Sequence, residues 1–231
     1  MTRITPRAIG LIAAVQAVLR IGPLIIEAIG GRGLPTPGSF NAPAQALATI
    51  RHSPEVMIVA GLICATGVLQ VFIVLAAADR LADTAPQWAR FSMPFGIAAA
   101  SFLMIDGALG MTALSQLAHV TVNQNAVDGA YLAVLGVRNG IDRVIPLTLG
   151  LWAMGTNVPA WRYHLLPRTL AAIGSLLGLT GIIGSVAPAA GLASLVLAIA
   201  WTAGFAIVLL HGDSDAAEPE TAVQQGLTQG P

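Results

Sequence analysis

Apolar residues fall along this chain in six long runs, at about residues 8–30, 56–78, 94–117, 131–155, 166–186 and 191–210. Each run is about 20 residues or more, enough for a helix rising about 1.5 Å per residue to cross a ~30 Å hydrocarbon core. None alternates apolar with polar residues, as a membrane strand would. The pattern predicts an all-α fold, an integral membrane bundle of six transmembrane helices over residues 1–211, rather than a barrel.

The polar intervals predict the connections. Residues 31–55 form a loop whose Gly/Pro-rich first half should not be helical, with a short surface helix over Ala44–Arg51. Asp79–Arg90 reads as a short charged loop and His119–Asp128 as a polar one. Asn157–His164 reads as a loop whose Trp161, Arg162 and Tyr163 suit a membrane interface. Pro188 marks a tight turn, and the acidic stretch 212–231 is expected to be a disordered tail. The first run resembles a signal peptide in its AVQA at 14–17, but it is too long for one and reads as an uncleaved first span.

The run 131–155 breaks the pattern, because Arg138, Asp142 and Arg143 lie inside it. Three mid-membrane charges cost roughly 8–10 kcal/mol, against roughly 3–6 kcal/mol returned by its Leu, Ile and Val residues. The run inserts only if other helices shelter those charges. Counting residues from each span's start places Arg20, Asp106, Asp142 and Arg143 near one midplane level. Glu27 and Arg138 fall nearer the outer side, giving three acids and three bases. Arg20 and Glu27 are spaced to share a helix face, as are Arg138 and Asp142. Gln16, Gln70 and Asn139 can add hydrogen bonds, and Pro23 and Pro146 each kink a helix and free a carbonyl one turn back. Such a cluster serves either to bind or pass a small solute or ion, or to fix helix packing through ion pairs.

Composition supports a membrane setting. The 231 residues are 55% hydrophobic and 10% charged, with mean hydropathy +0.77, whereas soluble domains carry about 25% charged residues. The formal net charge of zero gives no basis for nucleic-acid binding. All basic residues are arginine, so no lysine can form a Schiff base with a cofactor. With an N-terminus inside, Arg3, Arg7, Arg80, Arg90, Arg162 and Arg168 lie on the cytoplasmic side, against Arg32 and Arg51 outside. That is the arrangement of a plasma-membrane protein with both termini cytoplasmic, and it holds only with all six spans.

Other chemistry finds no support. The histidines His52, His119, His164 and His211 lie in loops or at span ends, which argues against haem. No HExxH, CxxC, GxSxG or P-loop pattern occurs, the single Cys64 excludes an internal disulfide, and no metal or cofactor is expected. An enzyme is the third-ranked expectation. The glycines of the last two spans, Gly174, Gly178, Gly181, Gly184 and Gly204, suit close helix packing first and a homo-oligomer seam second. Val15–Leu24 (VQAVLRIGPL) is similar to Arg138–Leu147 (RNGIDRVIPL), each with an Arg three residues before a Pro, which suggests a 3+3 inverted repeat.

The segments PRAIGLIAAV at 6–15 and LPRTLAAIGSLLGL at 166–179, with the basic head and long first outer loop, resemble a family of bacterial multi-pass membrane proteins known only as a domain of unknown function. The resemblance implies the six-span architecture over roughly residues 5–210 and no activity. The expectation is a protein of the lipid bilayer that binds or passes a small solute or ion. The alternative is a non-transporting scaffold or regulatory protein that acts through a protein partner.

Overall fold

Proline opens most of the helices. The structure, a computed structural model, describes residues 5–28, 43–120 and 123–211, with the backbone alone for residues 27, 28 and 188. Its described residues form seven helices and no strand. They are α1 (Pro6–Ala28), α2 (Pro43–His52), α3 (Pro54–Ala82), α4 (Pro86–His119), α5 (Gln124–Arg162), α6 (Arg168–Gly184) and α7 (Pro188–His211). Five of them begin at a proline, whose missing N–H costs nothing in a first turn and whose φ is already helical. α5 instead opens on Asn123, in a left-handed conformation (φ 50°), whose side chain accepts from the Ala126 N–H at 3.4 Å.

The runs 56–78, 94–117, 131–155 and 191–210 lie within helices, the run 8–30 is helical as far as it is described, and the run 166–186 exceeds α6 by two residues at each end. Asp79 and Arg80 belong to α3 and Arg90 to α4, so the charged loop shrinks to Asp83–Ala85. Asn157 is not in a loop: α5 continues through it to Arg162. The short helix expected over Ala44–Arg51 is α2, and it buries Leu47 and Ile50 against Leu114, Val127, Tyr131 and Leu135. The 212–231 tail lies outside the described residues.

The six longer helices close a ring. α1 packs on α3, then α3 on α4, α4 on α5, α5 on α6, α6 on α7, and α7 returns to α1. Contacts fix the directions. Gly22 faces Leu62 while Gln16 reaches Thr66 and Gln70, so α1 and α3 are antiparallel. Gly96 meets Val74 and Trp152, whereas Gly107 meets Cys64, and Gly155 meets Ser92. Gly174 abuts Asn157, and Gly181 abuts Pro146. Every neighbouring pair so fixed is antiparallel.

Glycine sets the spacing in this ring. A Cβ at Gly67 would stand 2.8 Å from the Ala100 carbonyl oxygen, and one at Gly181 would stand 2.6 Å from that of Pro146. Backbones approach this closely only where side chains are small. The glycines of α6 face α5 and α7 of the same chain, so internal packing accounts for them. The apolar core between the helices is centred on Trp152, Trp201 and Phe205. Trp152 meets Trp201 edge-on at 5.4 Å, and Trp201 stacks on Phe205 at 4.9 Å.

Among the described residues, four helices are long and apolar enough to cross a membrane: Pro6–Ile26, Pro54–Ala82, Pro86–His119 and Ala189–His211. Their outward faces expose Leu11, Val18, Ile58, Leu75, Leu192 and Ile207. So much exposed aliphatic surface is costly in water and is matched by lipid. α6 is apolar but has 17 residues, and α5 has 39 residues with its charges inside it.

Candidate functional site

The expected single cluster divides into two, with some members outside both. The first centres on Asp106 of α4 and Arg138 of α5. Arg138 donates from Nε to Asp106 Oδ1 at 2.7 Å and from Nη2 to Oδ2 at 3.2 Å. Both side chains are buried, at 5% and 4% exposure. This side-on, two-bond geometry is the strongest form of an arginine–carboxylate pair. Asp106 lies just before Leu109–Leu114, where α4 is wound as a π-helix. The wider turn re-aims the helix beyond the pair.

The second cluster joins α1 to α3. Arg20 Nη2 and Gln16 Nε2 both donate to Gln70 Oε1 at 2.8 Å, and Gln16 Nε2 also reaches the Thr66 carbonyl at 3.1 Å. Gln16 is fully buried, Gln70 nearly so, and Arg20 is 8% exposed. These partners fix both amide orientations: a flipped Gln16 would turn its oxygen on a carbonyl, and a flipped Gln70 would turn its nitrogen on a guanidinium. Among the described residues, three buried polar atoms of this cluster then have no hydrogen-bond partner: Arg20 Nε, Gln70 Nε2 and Gln16 Oε1. Among the described residues, Arg20 meets no carboxylate. Each unpaired group costs about 1–3 kcal/mol. A buried cation without a counter-charge costs several kcal/mol more, on the order of the penalties known for buried ions.

Along α3 and α4, Arg20 stands close to the level of Asp106, since Gly22 meets Leu62 and Gly107 meets Cys64. Gly10 meets Leu209 and Leu210 at the end of α7, so Arg20 lies ten residues in, ~15 Å along the axis and near the middle of α7. The Pro146 carbonyl meets Gly181, three residues before α6 ends. Asp142, one turn before Pro146, is therefore level with the end of α6, and Arg138 stands beyond it. The cause is helix length. α5 outruns α6 at this end, and α2 packs there against α4 and α5.

The remaining expected residues separate accordingly. Asp142 and Arg143 are exposed and Asn139 is half-buried. The side chain of Glu27 lies outside the described residues. Pro23 and Pro146 both fall inside helices, as expected. Arg20 and Arg143 differ in setting, since one is buried against α3 and the other is exposed.

Two polar contacts between helices, one buried and one partly buried, were not legible as site residues. Asn157, with no exposure, accepts from Trp201 Nε1 at 2.8 Å and donates to the Ala153 carbonyl at 2.9 Å, tying α5 to α7. Arg51 of α2 donates from Nε to the Ala118 carbonyl at 2.6 Å, near the C-terminus of α4. There its charge also suits the negative helix end. Thr66, one turn from Gln70 on the same face, was the available signal for the Arg20 cluster. The described residues contain no group of His, Cys, Asp and Glu able to hold a metal ion. Compared with models of protein families, with characterised proteins and with solved structures, the chain matches none.

Proposed function

We propose that this is a six-span plasma-membrane protein that binds a small solute or ion at the Arg20–Gln16–Gln70 cluster. The observation that carries the reading is the buried Arg20 guanidinium, held by one amide oxygen with its Nε unpaired. A protein that needed only a strut between α1 and α3 would do better with an apolar side chain there. Intramembrane ionisable groups commonly mark binding sites and pathways. Arg7, Arg80, Arg90, Arg162 and Arg168 share one end of the ring, which supports reading that end as cytoplasmic. Membership of the uncharacterised bacterial family belongs to the same proposal.

The scaffold reading keeps one supporting observation, the sealed Asp106–Arg138 pair, and that pair we assign to architecture. The two readings differ in solvent access. In a Cys64→Ala background, Gln16→Cys and Gln70→Cys are probed in intact cells with a small membrane-impermeant thiol reagent. Labelling of both is expected. Unlabelled but well-expressed variants would favour the scaffold.

A further inference from the structure

We infer that the Arg20 cluster takes a small monovalent carboxylate, bound by the N–H groups of Arg20 Nε and Gln70 Nε2. The inference rests on the solute-binding reading and supplies its ligand class. The protein contains the template for this geometry. Arg138 engages the Asp106 carboxylate side-on through Nε and Nη2. Arg20 presents the same edge, with Nη2 on Gln70 Oε1 and Nε without an acceptor among the described residues. Gln70 Oε1 already holds Nη2, so one carboxylate oxygen would meet Arg20 Nε and the other Gln70 Nε2, a two-point contact that a spherical anion does not offer.

Charge points the same way. The cluster holds one fixed positive charge, two neutral amides and no described acid, so a single negative charge makes it neutral. Cations are repelled, and a neutral solute leaves the guanidinium uncompensated. The third unpaired atom, Gln16 Oε1, can only accept. It selects for a ligand that also carries a hydroxyl donor, so a 2-hydroxycarboxylate fits better than a plain one.

The test uses the full chain in phosphatidylcholine nanodiscs, with the thermal unfolding midpoint followed against acetate, glycolate and chloride. A saturable rise of several degrees is expected, larger for glycolate than for acetate and absent for chloride. Arg20→Gln should abolish it. Gln70→Glu supplies a carboxylate from the protein, so it should raise the midpoint without ligand and remove the acetate response. This second variant keeps the test decisive if Arg20→Gln does not fold. Chloride matching acetate, or a lowered midpoint in Gln70→Glu, would overturn the inference. Equal effects of acetate and glycolate would remove Gln16 from the site. Oleate acting where glycolate does not would make the ligand a lipid carboxylate and overturn the solute assignment. No response to any carboxylate, with Gln70→Cys labelled, would sink the ligand class and leave the solute-binding reading standing. No response and no labelling would sink both.

Discussion

Arg138 grips Asp106 with the edge of its guanidinium, at 2.7 and 3.2 Å, across the α4–α5 interface. The pair is buried where the two helices pass beyond the end of α6. It joins elements distant in sequence and is shielded from water. Its two charge-assisted bonds should therefore count fully towards stability. Asp106→Asn keeps the shape and loses the charge, and should cost about 1.5–3 kcal/mol. Asp142→Asn, on an exposed neighbour one turn from Arg138, should stay within about 0.5 kcal/mol. Denaturation of both variants in detergent checks the contrast, and equal losses would contradict it.

Arg20 should behave in the opposite way. Its charge has no described counter-charge, so the side chain works against the fold. Arg20→Met is expected to leave stability unchanged or to raise it by up to about 1–4 kcal/mol, the range seen when buried ions are replaced by apolar groups. A loss as large as that of Asp106→Asn would make Arg20 a structural strut.

Glycine positions separate by what surrounds them. Gly67→Ala and Gly181→Ala each push a methyl group onto a facing carbonyl and should destabilise by about 1–3 kcal/mol. Gly140 has open space around it. Gly140→Ala should be neutral or stabilising by about 0.5–1 kcal/mol through helix propensity. Melting curves of the three variants suffice to check the order.

α2 depends on Arg51. Removing its bond to the Ala118 carbonyl leaves Leu47 and Ile50 as the main anchors of the helix. Arg51→Ala should speed amide exchange across Pro43–His52 with little change in α6 or α7, a local opening rather than global unfolding. Uniform acceleration along the chain would contradict a local role.

Much of the architecture was legible because two signals are local. The apolar runs mark the helices, and prolines at 6, 54, 86 and 188 mark four of their starts. Helix ends were less legible where polar residues stay inside a helix. Asn157 looks like a loop residue until Trp201 is placed beside it, and Asp79 and Arg80 look like a connection although α3 carries them. Helix length was not legible either, because every run suits a single bilayer thickness. A 39-residue α5 beside a 17-residue α6 shifts Asp142 and Arg138 to and past the end of α6.

Partner choice was not legible at all. Arg20 turns to Gln70 rather than to an acid because the Gly22–Leu62 contact and the Gln16–Thr66 bond set how α1 is rotated against α3. That rotation is a property of the packed pair. Asp106, spaced well enough to serve several arginines, is taken by Arg138 for the same kind of reason.

The most direct measurement is a crystal structure of the full chain grown from a lipid phase, at a resolution that shows ordered water, with glycolate present. The account predicts a solute or solvent molecule within hydrogen-bond distance of both Arg20 Nε and Gln70 Nε2, reached by a continuous polar path from one membrane face. A carboxylate of the protein itself seated on Arg20 Nε, with the surrounding side chains closed over it, would contradict the account and return the cluster to architecture.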